Sequence, residues 1–347
     1  MEKYFSSIIC STGYCSTFNT IYKKDADARV YIVRDGDDIE RATFFKRLIK
    51  NLHGYNITLF NSFYDECTDG IYIKNLNTYI LSDGGYNRIT SILPEIWEKS
   101  ISITNDKKYP KDLLWEVLLG KAKENNHYKN ACKILKQASN VREKLHSLLS
   151  PFLDEEKIVN FIHRICLRRI KRSTEKGRGK IRFISSPTPL GIHTHYDTIF
   201  ETCKNIINIT DETGFVGAII LGVIKNYAVK EKMEIIASPS YLNNDFFQFL
   251  LFPLQETAFC ISDTSHTLPF NSQIEINASR FFADKTILTS DKIKSLISVE
   301  ESLLDKAILS LYEGRDERFK YNNLLKGFSD IEKTEENANY FSQILLN

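Results

Sequence analysis

Residues 183–200, FISSPTPLGIHTHYDTIF, repeat the pattern of residues 5–22, FSSIICSTGYCSTFNTIY. Both stretches begin with Phe, carry Ser at the third position and Gly at the ninth, and end in Thr-Ile followed by an aromatic residue. Further matches follow in the same order at shifts between 176 and 180 residues: 30–33 with 206–209, Leu76 with Leu254, Ser82-Asp83 with Ser262-Asp263, and Phe152 with Phe328. The fixed order and nearly constant shift predict a tandem duplication, because insertions in surface loops change the spacing only slightly.

The length and composition fit two globular domains. A chain of 347 residues holds two domains of about 170 residues, each large enough for its own core. We predict a first unit at 1–175 and a second at 178–347, with the boundary in the polar stretch STEKGRGK, residues 173–180. The net charge of +2 does not by itself indicate a polyanionic partner.

The cysteines and the hydropathy pattern bear on the cellular location. The seven cysteines are scattered, and none forms a CxxC pair, so reduced thiols in a cytosolic protein are the expected state. The chain has no uninterrupted apolar run of about 18 residues, and its N-terminus lacks the long apolar region of a signal peptide. We therefore expect a cytoplasmic protein without a membrane span.

Each half shows the same predicted order of elements. The elements are an extended segment with a glycine turn (4–22; 182–200), a strand (30–34; 206–210), a helix (40–53; 215–230), a second strand (56–61; 233–238) and a strand ending in Ser-Asp (78–83; 257–263). Strands that alternate with helices are typical of α/β proteins, so we predict a parallel sheet in each half.

A helical segment closes each half. Residues 111–149 carry apolar residues at helical spacing, which predicts two packed helices whose leucines, Leu114 and Leu118 among them, lie in the core. In the second half, Ser298 and Glu301 have the spacing of a capping box and predict a helix start. We expect the two halves to pack against each other as an intramolecular pseudo-dimer.

The order strand, loop, helix and, later, a strand ending in Asp resembles a family of tandem P-loop ATPase-like proteins of spore-forming Firmicutes. Members carry a G-x-P-G-T-G-K-S-T loop in each half and a strand that ends in Asp. The resemblance covers nearly the whole chain. It implies two tandem P-loop NTPase-like units, each a parallel sheet flanked by helices and followed by a helical segment. It also suggests a role linked to sporulation.

The first predicted phosphate loop departs from the family pattern. In residues 33–43, VRDGDDIERAT, only Gly36 and Thr43 match it. Arg41 stands at the lysine position and Ala42 at the magnesium-binding hydroxyl position. Asp83 matches the strand-end aspartate of the family, which helps to hold Mg²⁺ through water.

The second loop departs further. In residues 211–219, DETGFVGAI, Gly214 remains as a loop glycine, while Gly217 stands at the lysine position. Asp263 matches the strand-end aspartate. Another family aspartate is present as Asp69 in the first half and is replaced by Phe247 in the second.

These changes predict that neither loop binds ATP with magnesium in the usual way. A phosphate loop works because backbone N–H groups converge on oxygens at a helix N-terminus and a lysine adds positive charge. In the first half, acidic residues crowd this point: Asp35, Asp37, Asp38 and Glu40. We interpret them as a helix-capping turn, with a calcium or magnesium site as the alternative reading.

Two further groups of residues carry hypotheses. His193 and His195, with Asp197 or His266, would form a metal site if the fold brought them together. Residues 163–182 form the one strongly basic run, which suits a solvated helix end or, alternatively, a nucleic-acid surface.

We therefore expect a non-catalytic scaffold or interaction protein with degenerate phosphate loops and an unknown protein partner. No cofactor, metal or catalytic residue is predicted, and nucleic acid is a less favoured partner. One alternative is a divergent ATPase, binding ATP and magnesium through Arg41, Thr43 and Asp83. The other is a nucleic-acid-binding protein that uses residues 163–182.

Overall fold

The computed structural model of the chain contains two mixed β-sheets of six strands each, flanked by helices. The structure describes residues 1–346 except 24, 66, 105–108, 171–178, 265, 270 and 271. The protein is therefore an α/β protein.

The elements of the first half end with a very long helix and a shorter one. They are β1 (Lys3–Phe5), β2 (Ser7–Cys10), β3 (Gly13–Ser16), β4 (Arg29–Val33), α1 (Asp38–Asn51), β5 (Ile57–Asn61), β6 (Thr68–Ile73), β7 (Thr78–Ser82), β8 (Glu98–Ile101), α2 (Lys111–Leu149) and α3 (Glu155–Arg169).

The second half repeats this order and adds a short helix. Its elements are β9 (Gly179–Ile181), β10 (Ser185–Thr188), β11 (Gly191–Thr194), α4 (Tyr196–Thr202), β12 (Asn205–Thr210), α5 (Phe215–Lys230), β13 (Ile235–Pro239), β14 (Phe247–Phe252), β15 (Thr257–Ser262), β16 (Ile274–Asn277), α6 (Asp291–Leu325) and α7 (Ile331–Leu346).

The two sheets have the same strand order. The first runs β1-β5-β6-β7-β4-β8, and the second runs β9-β13-β14-β15-β12-β16. In each half the glycine turn of the first segment forms a small separate hairpin, β2-β3 or β10-β11. This shared topology agrees with the repeat read from the sequence.

The prediction of a parallel sheet is wrong for one strand in each half. β6 pairs antiparallel with β5 and β7, and β14 pairs antiparallel with β13 and β15, whereas the other neighbours are parallel. The links from β6 to β7 and from β14 to β15 are single 3₁₀ turns that end in left-handed residues, Asn77 and Glu256. Links this short permit only antiparallel pairing, because a parallel crossover needs a dozen or more residues.

The predicted helix boundaries at the ends of both halves are also wrong. Residues 111–149 form one helix, α2, instead of two. Ser298 and Glu301 lie exposed within α6, whose N-cap is Ser290, so they form no capping box. Leu114 and Leu118 are exposed instead of lying in the core, because only one stripe of α2 meets the rest of the protein.

The long helices α2 and α6 pack side by side in opposite directions. Asn130 of α2 bonds Ser310 of α6, while Arg142, further along α2, bonds Glu300, which precedes Ser310. The helices pack closely at Gly314, where an added Cβ would come within 2.3 Å of the Tyr128 ring. The missing side chain of Gly314 is therefore what allows the two helices to pack so closely.

The terminal helices are exchanged between the halves. α3 packs its apolar residues, such as Ile162, into the core of the second sheet with Ile220 of α5. α7 packs Phe341 into the core of the first sheet with Phe44 of α1. Each half of the sequence therefore completes the helical layer of the other half.

We expect Gly314→Ala to lower the free energy of unfolding by about 1–3 kcal/mol, because overpacking at a helix crossing outweighs the gain in helix propensity. The matched control is Gly222→Ala in α5, where an added Cβ meets nothing within 4 Å. That variant should be more stable by up to about 1 kcal/mol. Urea denaturation measures both. Equal stabilisation by the two substitutions would contradict the close crossing.

Candidate functional sites at the strand ends

The predicted loops leave the sheets beside the predicted strand-end aspartates. β4 and β7 are parallel with Val33 opposite Ser82, so the loop after Val33 lies next to Asp83. β12 and β15 are parallel with Thr210 opposite Ser262, so the second loop lies next to Asp263. This carboxyl edge of parallel strands is where open α/β sheets usually bind ligands.

In the first loop, carboxylates of the chain occupy the start of α1. The Asp37 carboxylate accepts hydrogen bonds from the N–H groups of Ile39 and Glu40, both at 2.9 Å. The Glu40 carboxylate accepts from the Asp37 N–H at 3.0 Å and from the Asp330 N–H at 2.9 Å. The acidic cluster therefore includes a capping box, and these N–H groups are not available to a phosphate.

Arg41, which the resemblance puts at the lysine position, folds back over the loop. Its guanidinium donates to the Gly36 carbonyl and to the Asp38 carboxylate, the latter at 2.5 Å. It also lies against Gly84, where an added Cβ would come within 2.6 Å of it. Thr43 is half-buried two residues further along α1.

Asp83, the strand-end aspartate, is already bonded. One carboxylate oxygen pairs with Arg34 at 3.1 Å. The other accepts a hydrogen bond from the Ile89 N–H at 3.0 Å. Asp83 therefore pairs with an arginine that the sequence reading did not assign to the site.

The other half of the chain supplies an arginine to this first site. Arg318 of α6 pairs with Asp38 at 2.6 Å and with Glu124 of α2 at 2.7 Å, and its guanidinium lies 3.7 Å from the centre of the Tyr64 ring. Burial alone would raise the pKa of Asp38, but the charges of Arg318 and Arg41 outweigh it and lower this pKa.

Asp69, the further aspartate assigned by the resemblance, lies in a polar cluster near this site. Its carboxylate accepts hydrogen bonds from the Ser6 hydroxyl at 2.6 Å and the Asn87 amide at 2.8 Å. Part of the residue is accessible, but protein surrounds the carboxyl group, and this burial raises its pKa to about 7.

In the second loop, one carboxylate lies where the loop N–H groups converge. Asp211 accepts hydrogen bonds from the N–H groups of Thr213 at 3.1 Å and Gly217 at 2.9 Å, and from the Thr213 hydroxyl at 2.7 Å. Gly214 adopts a left-handed conformation at the N-cap of α5, with φ at 64°. Burial raises the pKa of Asp211. This side chain takes the place that an anion would take at a helix N-terminus.

Asp263 belongs to a buried ion network. Arg142 of α2 lies 3.4 Å from Asp263 and is bonded to Glu300 of α6 at 2.5–3.1 Å. The N–H of His266 also donates to Asp263 at 2.9 Å. Burial opposes the charge of Arg142, but the two carboxylates raise its pKa overall.

The sequence reading missed both buried arginines, although the repeat contains a signal for them. Arg142 and Arg318 are 176 residues apart, and so are Glu124 and Glu300. Each arginine therefore has an equivalent in the other half and pairs with a glutamate on the opposite long helix.

The histidines proposed as metal ligands do not assemble as a cluster. The rings of His193 and His195 lie 4.9 Å apart, and His195 stacks on Phe5 at 4.4 Å. His266 instead contacts the Ser185 hydroxyl at 2.8 Å and Asp263. Within the residues that the structure describes, no group of three His, Cys, Asp or Glu side chains is placed to hold a metal ion.

The basic run at 163–182 is only partly described, since residues 171–178 lie outside the described residues. The exposed side chains of Arg164, Arg168 and Arg169 line a cavity of 260 Å³ together with Arg280. The run therefore supplies three arginines to this one cavity.

Comparison with family models, curated proteins and solved structures finds no match for the chain. Among the described residues, none of the helices combines the length and apolar character needed to cross a membrane.

Proposed function

We propose that the chain is a tandem P-loop-like protein with degenerate phosphate loops, and that it acts in the cytoplasm as a non-catalytic scaffold or interaction protein. The observation that carries the proposal is the same in both halves. Carboxylates of the chain itself, Asp37 with Glu40 and Asp211, accept the hydrogen bonds of the helix starts that a phosphate would need.

Electrostatics supports this reading. A carboxylate about 5 Å from a phosphate charge costs roughly 3 kcal/mol at an effective dielectric of 20. The positive end of a helix dipole stabilises an anion by only about 0.3–1 kcal/mol. A nucleotide at the second loop would have to displace the Asp211 carboxylate, and at the first loop it would meet Asp37.

The nearby cations are already paired. Arg41 is bonded to Asp38, Arg34 to Asp83 and Arg142 to Glu300. A divergent ATP site built on Arg41, Thr43 and Asp83 would therefore have to break existing ion pairs before it gained any phosphate contact.

An exposed apolar patch at the start of α2 supports an interaction role. The patch comprises Leu114, Trp115, Leu118 and Leu119, and Trp115 is 73% exposed. Exposed apolar patches on a protein surface are a feature of interaction sites.

We expect no change in melting temperature when the protein is titrated with Mg·ATP, Mg·GTP or their diphosphates. A ligand present at 100 times its Kd would stabilise the protein by about 2.7 kcal/mol, which a melting curve resolves. Arg41→Ala and, as a control, Lys50→Ala on the exposed face of the same helix are measured in parallel. A nucleotide-dependent shift that Arg41→Ala abolishes and Lys50→Ala retains would overturn the proposal and restore a working site in the first half.

A further inference from the structure

A cavity of 610 Å³ lies between the two halves, away from the strand-end loops. It is bordered by the edge strands β1 and β9, and the Phe5 N–H donates to the Phe183 carbonyl at 2.8 Å where the halves meet. Pairs of equivalent positions, all 178 residues apart, line it: Glu2 with Lys180, Tyr4 with Arg182, and Thr58 with Ile236. The cavity therefore lies where equivalent residues of the two repeats face each other.

Arg182 is buried in this cavity, and no carboxylate in the described part of the chain pairs with it. Only 9% of the residue is exposed, and its guanidinium donates one hydrogen bond, to the Ile181 carbonyl at 2.9 Å. No carboxylate of the described residues forms an ion pair with it. Glu2, which also lines the cavity, is bonded instead to Lys74 at 2.5 Å and to the Thr58 hydroxyl at 3.3 Å.

An unpaired buried charge is unusual, because buried charges are normally paired. Burial lowers the pKa of Arg182, which reflects the cost of keeping this guanidinium charged inside the protein. An anion in the cavity would offset that cost.

The walls beside Arg182 are aromatic. The rings of Tyr72 and Tyr79 stack 4.3 Å apart, and the guanidinium lies 5.8 Å from the centre of the Phe60 ring. The hydroxyl of Tyr4 is buried at the cavity wall, next to the Thr202 hydroxyl. The cavity thus combines one cation that no carboxylate of the described residues pairs, one buried hydroxyl group and flat apolar surfaces.

We propose that this cavity binds a small aromatic carboxylate, with the carboxylate on Arg182 and the Tyr4 hydroxyl and the ring against Phe60, Tyr72 and Tyr79. One planar guanidinium matches a carboxylate with two parallel hydrogen bonds. A singly charged carboxylate is favoured over phosphate, because the other two cations of the lining, Lys74 and Lys180, are already paired with Glu2 and Glu234. The site is independent of the loops on which the proposed function rests.

Calorimetric titration of the full chain with benzoate, 4-hydroxybenzoate and indole-3-carboxylate tests the proposal, with inorganic phosphate as a separate arm. We expect at least one aromatic carboxylate to bind with one molecule per chain. Arg182→Met, which removes the charge and keeps much of the volume, should raise its Kd roughly 10- to 100-fold, the loss of a charged hydrogen-bonded contact. Arg88→Met, at an exposed arginine outside the cavity, should leave the Kd unchanged.

The ligand-free proteins give a second measurement. Because no carboxylate of the described residues pairs with Arg182, Arg182→Met should melt no lower than the unsubstituted protein. Failure of all three aromatic carboxylates to bind, binding of phosphate alone, unchanged binding by Arg182→Met, or a lower melting temperature of that variant would each overturn the proposal. A nucleotide-dependent shift in the earlier test would leave it intact, so the two proposals fail separately.

Discussion

Replacing Arg318 by alanine is expected to lower the free energy of unfolding by about 3–5 kcal/mol, the loss typical when one partner of a buried ion pair is removed. Arg318 is 4% exposed and holds the carboxylates of Glu124 and Asp38. Without it, Glu124 keeps the Tyr321 hydroxyl as its side-chain partner among the described residues and stays buried with its charge. Guanidinium denaturation followed by circular dichroism measures the difference.

Arg315→Ala on the same helix is the matched control and should change stability by less than about 0.5 kcal/mol. The double variant Arg318→Met, Glu124→Gln should recover much of the loss, because it removes the buried charges while Asp38 keeps Arg41. A loss below about 1 kcal/mol for Arg318→Ala would mean that solvent reaches this network.

The second large expected effect is that the free energy of unfolding depends on pH because of Asp69. Its pKa is raised to about 7 in the folded protein, against about 3.9 for an aspartate in an unfolded chain. Between these values the folded state keeps a proton that the unfolded state has lost. Stability therefore falls as the pH rises from about 4 through about 7, by about 2–4 kcal/mol in total.

Asp69→Asn should remove this dependence, since its amide oxygen still accepts from Ser6 and Asn87 and carries no charge. The variant should match the unsubstituted protein near pH 4 and exceed its stability at pH 8. Asp27→Asn, at an exposed aspartate, should leave the pH profile unchanged. Denaturation curves between pH 4 and pH 8 measure the free energy of unfolding of each protein. If this free energy still falls with pH in Asp69→Asn, other titratable groups cause the pH dependence.

The local elements could be read from the sequence because each depends on neighbouring residues. The strands β4 and β12 and the helix α5 fall within a residue or so of their predicted bounds, since short apolar runs and helical spacing identify them. β6 and β14 were missed as strands, although their pairing follows from short turns. α2 was divided wrongly because its exposed and buried leucines look alike in sequence.

The same distinction between local patterns and distant contacts holds for the candidate sites. Asp83 and Asp263 were placed at strand ends correctly, because the Ser-Asp pattern directly follows each strand. The pairing of Asp38 with Arg318 joins residues 280 positions apart. No local pattern predicts such a contact, because it exists only where α6 crosses the start of α1.

The sequence by itself determined the internal repeat and the local elements β4, β12 and α5, and it placed Asp83 and Asp263 directly after a strand. The tertiary structure decided that α3 and α7 exchange between the halves, that Arg142 and Arg318 reach the strand-end sites, and that Arg182 faces an aromatic cavity. The physical reason is that repeats and amphipathic patterns are set by residues near in sequence. Buried ion pairs and cavities instead arise where elements distant in sequence pack together, and only there do burial and the low dielectric act on the charges.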